Sequence, residues 1–431
     1  MDRGFYIILA AQFLSALADN ALFIAALALL KSQAAPAWHQ SMLLWCFTIS
    51  YVVLAPFAGS FADSMHKGRA MMLCNGIKLA GCVGMLVGLP PILAYAIVGF
   101  GAAAYSPAKY GIITEYLPHD KLVAANGWLE GATVSAIIFG TVIGGLITGP
   151  SMAAWLAKST LLQGLSAPMF ALIVLACIYL AAAWVNLYVP KLNVTLKPIH
   201  FSPSFLIKEF WECVVKLWRD PQGQLSLAVT TLFWGAGATM RLVVINWAII
   251  WLGFNLEQAT RLVAIVAFGT AAGAVIAGRY IPLKQAFRVL PAGVAMGMMV
   301  VSMLFVYDVR LAGVQMFIVG AMAGFFVVPL NAMLQHRGFM LMGAGHSIAV
   351  QNFNENLGIL VMVGAHALLV KYFSSPLSDN MHGEALSYFS SLGGIPPMYT
   401  IIIGFGTLLM VTMLIIMHRY RRGLAAGKMQ D

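Results

Sequence analysis

GFYIILAAQFLSALADNALFIAALALL, residues 4–30, is a run of 27 residues that carries one charge, Asp19. A helix needs about 20 apolar residues to cross the hydrocarbon core of a bilayer. The run is also longer than the roughly 7–15-residue core of a cleaved signal peptide. It therefore reads as a first spanning helix that is retained. Counted from Gly4 at 1.5 Å per residue, Asp19 lies roughly 22 Å along it, near mid-membrane.

The same kind of run recurs through the chain. Of its 431 residues, 61% are hydrophobic and 9% charged, against about 25% charged in a soluble domain. That composition excludes a soluble globular protein and leaves no room for an extramembrane catalytic domain. Hydropathy predicts spans at 4–30, 41–62, 71–88, 92–117, 132–148 and 167–189, then 225–253, 262–277, 289–306, 314–334, 347–372 and 398–417. The expected fold is an all-α integral membrane protein of twelve helices. Residues 1–190 form an N-terminal six-helix bundle, 191–224 a linker, and 225–431 a C-terminal bundle with a short basic tail.

The net charge of +10 becomes informative once it is sorted by side. With both termini on the cytoplasmic side, about seventeen Lys and Arg, among them Arg3, Lys67, Arg69, Lys121, Arg419 and Arg421, fall there. Lys31, Lys158, Arg261, Arg310 and Lys371 fall on the other side, which sets the orientation by the positive-inside bias. The five cysteines, Cys46, Cys74, Cys82, Cys177 and Cys213, sit in apolar or cytoplasmic segments and indicate neither a disulfide framework nor a metal cluster.

In the linker, Ile207, Phe210, Trp211, Val214 and Trp218 recur at helical spacing over Ser204 to Arg219, with charges around the rest of the turn. An amphipathic helix is expected, lying either on the lipid surface or on the protein. The two halves also echo each other. Pro107 and Lys109 precede an Asn126/Glu130 pair, and Pro329 and Asn331 precede a Gln351/Glu355 pair, each pair spaced by four. Two related bundles around a central site are the arrangement of many secondary transporters.

An ionisable side chain at the bilayer centre costs about 2.5–3.5 kcal/mol even on insertion scales, so the few intramembrane charges are the candidate site. Asp19, Arg241 and Glu355 lie deep in helices one, seven and eleven. From different halves they are expected to line one cavity, with the alternative that Asp19 or Glu355 simply neutralises Arg241. Gly235 and Gly237 mark a weak point in the seventh helix. Lys109 and Glu130 are expected either to pair within a bundle or to contact substrate. Lys78 is expected to snorkel to the head groups in a structural role.

The turn after the second helix reads GSFADSMHKGR, residues 59–69. Gly59 permits close helix approach, and Asp63, Lys67 and Arg69 can pair with neighbouring helix ends to hold a gate. This stretch resembles the loop signature of the major facilitator superfamily, with Gly59 and Asp63 at the usual spacing. Gly68 lies two residues farther from the Asp than usual, and Ser64 stands where a basic residue is common.

Five longer stretches are similar to the bacterial lysophospholipid transporter family: AQFLSALADNALF (11–23), GAAAYSPAKYGI (101–112), LFWGAGATMRLVV (232–244), GFFVVPLNAMLQHRG (324–338) and GAGHSIAVQNFNEN (343–356). The resemblance implies a major facilitator fold and movement of lysophosphatidylethanolamine and related lysolipids across the bacterial inner membrane to the cytoplasmic leaflet. There a separate acyltransferase/acyl-carrier-protein synthetase rebuilds the diacyl lipid. It maps substrate contacts onto Asp19, Arg241 and Glu355, with Lys109 secondary; Asn20 and Asn352, on the same stretches, join the candidates.

No cofactor, no metal, no nucleic acid and a monomer are expected. The alternative is a proton-coupled carrier of a soluble solute or drug, in which Asp19 or Glu355 titrates. An enzyme is not expected: the chain has no HExxH, no GxSxG and no His-x₄-Asp in a surface loop.

Overall fold

The computed structural model describes residues 2–33, 38–159, 164–192, 196, 202–254, 256–376, 387–390 and 392–425. Lys428 of the basic tail lies outside them. The helices are α1 Arg3–Ser32, α2 Trp38–Asp63, α3 Lys67–Leu86, α4 Pro91–Tyr116, α5 Leu122–Thr148, the short α6 Pro150–Lys158 and α7 Ala167–Asn186. After these come α8 Pro203–Arg219, α9 Pro221–Leu252, α10 Leu256–Tyr280, α11 Leu290–Ser302 flanked by 3₁₀ turns, α12 Val309–Met342, α13 Ala344–Phe373 and α14 Met398–Ala425.

Among the described residues, eleven helices are long and apolar enough to cross a membrane. The exception among the long helices is α3, which at 20 residues is about 30 Å long. It has the length to span, but it carries Arg69, Asn75 and Lys78, and the last two are buried. Outward-facing apolar side chains such as Leu146, Trp184 and Phe305 suit the lipid.

Where helices exceed their predicted bounds, polar residues have found partners. Helix α5 starts at Leu122, not Ala132, because Asn126 is buried with its Nδ2 donating to Gln335 Oε1 at 2.9 Å. The same contact, together with the Arg337–Asp220 ion pair, keeps α12 helical past Leu334. Asp220 also caps α9 by accepting the Gly223 N–H at 2.8 Å, with Pro221 in the first turn. Gly253, at φ +65°, ends that helix. At the start of α1, Asp2 accepts the Phe5 N–H and the Tyr116 hydroxyl; the Tyr116 bond chiefly holds its carboxyl below the usual range.

The chain divides into two compact units drawn from non-contiguous stretches: 1–118, 132–216 and 338–353 in the first, 119–131, 217–337 and 354–431 in the second. The first therefore takes in the start of α13, and the second the start of α5. Glycines set both insertions. In the first unit, a Cβ on Gly59 would come within 3.0 Å of the His346 backbone. In the second, a Cβ on Gly127 would meet the Ala274 carbonyl at 2.9 Å. The tightest approach is α10 on α12, where Gly269 and Gly273 face Phe317 and Ala321 while Gly320 and Gly324 face Val266 and Thr270. Paired small-xxx-small motifs of this kind let membrane helices meet backbone to backbone.

Helix α8 buries Leu206, Phe210, Cys213, Val214 and Leu217 and leaves Phe205, Ile207, Trp211 and Val215 exposed. It packs on the protein, with the Phe210 ring 5.4 Å from that of Phe353, and carries a second apolar stripe outward. The packed face is turned by about one residue from the predicted one, so Ile207 is outside and Leu206 inside.

Candidate functional site

In the first unit, Ser15 and Asp19 are four residues apart on α1, and Asn75 and Lys78 are three apart on α3. Each pair thus lies on one helix face. The two faces meet in register: Ser15 Oγ donates to Asn75 Oδ1 at 2.8 Å, and Lys78 Nζ donates to Asp19 Oδ2 at 2.7 Å and to Ser15 Oγ at 3.0 Å. The Tyr179 hydroxyl on α7 donates to Asp19 Oδ1 at 2.8 Å. Lys78 Nζ also lies 4.6 Å from the centroid of the Tyr105 ring.

This corrects the expectation for Lys78. Its side chain is 1% exposed and does not snorkel, because a carboxylate and a hydroxyl on the facing helix solvate the ammonium where it stands. The counter-ion of Asp19 is thereby Lys78, and among the described residues no ion pair involves Arg241.

Arg241 belongs to the second unit, where it lines a partly open cavity of about 120 Å³ between α9, α10, α11, α12 and α14. The other lining residues include Phe233, Met240, Val244, Val266, Met296, Val300, Phe405 and Leu409. Arg241 is the one charged residue in that lining, and Thr270 is the one hydroxyl. Gly237 sits in the wall, and a Cβ there would meet nothing within 4 Å. Gly235 is instead a packing glycine, whose Cβ would touch the Gly358 carbonyl at 2.8 Å. An apolar hollow with one guanidinium in its wall suits a segment of hydrocarbon chain beside a phosphate or carboxylate.

The turn after α2 builds a polar cluster within the first unit. Asp63 Oδ1 accepts from Lys67 Nζ at 2.8 Å and from the Gly345 N–H at 2.8 Å; Oδ2 lies 2.8 Å from His346 Nδ1. Lys67 is shared with Glu115 at 3.2 Å. The other ring nitrogen of His346 lies 3.1 Å from Ser60 Oγ and 3.6 Å from Glu209 of α8. A carboxylate that caps the exposed N–H groups at the start of α13 complements both the hydrogen-bonding need and the dipole of that helix end. Arg69, expected in this cluster, is exposed.

The remaining candidates divide between the units. Lys109 is buried in the first, with Nζ 3.4 Å from Thr133 Oγ1 and 4.8 Å from the Tyr110 ring centroid. Asn352, also in the first, donates to Ser106 Oγ at 2.8 Å. Asn20 donates to the Ala16 carbonyl of its own helix at 2.7 Å. Glu355, 6% exposed, and Glu130 are in the second unit. Sequence reasoning gave Lys78 a structural role but missed its pairing with Asp19, and it missed Tyr179, Glu115, His346 and the Asp220–Arg337 pair. For Lys78 the matched spacings of polar residues on α1 and α3 were an available signal; for His346, a long-range partner of Asp63, there was none.

A profile of the Major Facilitator Superfamily matches residues 8–362. The lysophospholipid transporter LplT of Yersinia enterocolitica is 43% identical over 372 residues, covering 86% of this chain and 88% of that protein. The transporter of the same name from Serratia proteamaculans is also 43% identical over 372 residues, covering 86% and 89%. Among solved structures, the major facilitator transporter FucP in its outward conformation superposes with a TM-score of 0.68 at 12% identity, covering 96% of this chain and 98% of that one. At that identity the likeness is one of fold.

Proposed function

Since the chain belongs to the lysophospholipid transporter family of the major facilitator superfamily, we propose that it moves lysophospholipids, lysophosphatidylethanolamine among them, across the bacterial inner membrane. Movement is toward the cytoplasmic leaflet, where an acyltransferase/acyl-carrier-protein synthetase restores the second chain. Both termini are cytoplasmic, the protein acts as a monomer, and residues 1–190 and 225–431 are the bodies that move in alternating access.

The observation that carries this reading is the apolar cavity with Arg241 as its one lining charge. A soluble-solute carrier has little use for such a lining. A lysolipid needs it, because exposing its tail to water costs about 0.8 kcal/mol per CH₂, on the order of 12 kcal/mol for sixteen carbons. Arg241 takes the phosphodiester, and Asp19 and Glu355 are the acceptors for a head-group ammonium. Lys109, Asn20 and Asn352 are secondary contacts. Gly59, Asp63 and Lys67 hold the gate; Arg69 and Glu130 support it.

Proteoliposomes containing the purified protein are expected to take up labelled lysophosphatidylethanolamine faster than protein-free vesicles. Absence of any uptake contradicts the reading. A strict requirement for a proton gradient would favour the coupled-carrier alternative for the energetics of the cycle.

A further inference from the structure

The Asp19–Lys78 pair is asymmetric in a way that a simple internal salt bridge is not. Lys78 is 1% exposed and Asp19 19%. An ammonium has three N–H donors, and those of Lys78 are directed to Asp19, to Ser15 and to the Tyr105 ring face. It has no donor left for a ligand. A carboxylate offers about four acceptor positions, and on Asp19 only those facing Lys78 and Tyr179 are taken in the structure described. The capacity that remains lies on the exposed part of Asp19.

The surroundings hold this geometry rather than merely tolerate it. The Ser15–Asn75 bond, one turn away, fixes the register of α1 against α3. Asn75 is 0% exposed and Tyr105 4%. A buried ion pair is commonly no more stabilising than apolar side chains packed in its place, so a role in holding the fold leaves the partly exposed carboxylate edge without a reason.

We propose that Lys78 is a positioning residue for the transported lipid: it holds the Asp19 carboxylate aimed, so that its unoccupied edge accepts a hydrogen bond from an ammonium or hydroxyl of the head group. Lys78 itself does not touch the lipid. The assignment rests on the transport reading above and adds to it the residue through which Asp19 works.

The test is a double-mutant cycle in proteoliposomes with labelled lysophosphatidylethanolamine, read on folded protein isolated by size exclusion. Lys78→Met is expected to raise the apparent KM by about tenfold or more, whereas Lys78→Arg, which keeps the charge, stays within about threefold of the parent. Asp19→Asn/Lys78→Met removes both charges together. It is expected to melt higher than Lys78→Met, because no unpaired charge is left buried, yet to transport no better than Asp19→Asn alone. Stability and transport thus part company, which a merely structural pair would not allow.

Uptake by the double variant at the parent's rate would overturn the proposal, as would a Lys78→Met protein with the parent's KM. So would effects of the two single changes that simply multiply, which would mean that Lys78 acts apart from Asp19. A parent protein that moves no lysolipid overturns the transport reading itself, is seen before any variant is compared, and takes this assignment with it.

Discussion

Arg241→Ala is expected to lower lysolipid uptake by roughly 30-fold to a few thousandfold, with the protein still inserted and folded. Truncating one partner of a desolvated, hydrogen-bonded charge pair costs about 2–5 kcal/mol, and each 1.4 kcal/mol is about tenfold. In the proposed function the partner is the phosphodiester of the lipid. No described ion pair involves Arg241, so its removal strands no protein charge and the melting temperature should stay near that of the parent. Arg241→Lys keeps the charge and loses the planar fork that matches phosphate; intermediate uptake is expected. Initial rates in proteoliposomes, normalised to reconstituted protein, check both.

Asp63→Ala should have the second large effect, and in the proposed function it acts on the gate rather than on substrate. Asp63 accepts from Lys67, from the Gly345 N–H and from the His346 side chain, all at 2.8 Å. Removing it leaves Lys67 with Glu115 as its carboxylate partner and the start of α13 without its cap. Breaking a buried pair from one side costs about 3–5 kcal/mol, on the order of the gap that sets a two-state equilibrium. Cys213 on α8, buried at 6% exposure, lines the same hollow as His346 and Glu209. A membrane-impermeant maleimide is therefore expected to label Cys213 about a hundredfold faster in Asp63→Ala. An unchanged labelling rate would mean that Asp63 does not hold this end of α13 in place.

Much of the fold was legible because the bilayer constrains it so strongly. A spanning helix must be long and apolar, and the runs between 4 and 417 announce themselves. The reading lost accuracy where polarity is satisfied internally: α5 begins ten residues early through Asn126, and α12 continues through Gln335 and Arg337. The site was legible in part for the same reason. Counting charges within the predicted spans selects Asp19 and Arg241, and the turn motif selects Asp63. Pairing is a long-range property, however, and sequence spacing carries it only when two faces match, as Ser15/Asp19 and Asn75/Lys78 do. Nothing in the neighbourhood of residue 63 points to residue 346, so the His346 contact was out of reach. The cavity around Arg241 was also invisible, since its walls come from five helices whose Met, Val and Phe residues read as ordinary membrane packing.

The most direct test follows the acyl chain. Lysophosphatidylethanolamine carrying a photoreactive group at the end of its chain would be irradiated on the reconstituted protein, and the adducts mapped by mass spectrometry. Adducts are expected at cavity residues such as Met240, Val244 and Met296, suppressed by excess unlabelled lysolipid and lost in Arg241→Ala. Adducts confined to outward-facing residues such as Trp184 and Phe305, and insensitive to competitor, would contradict the account.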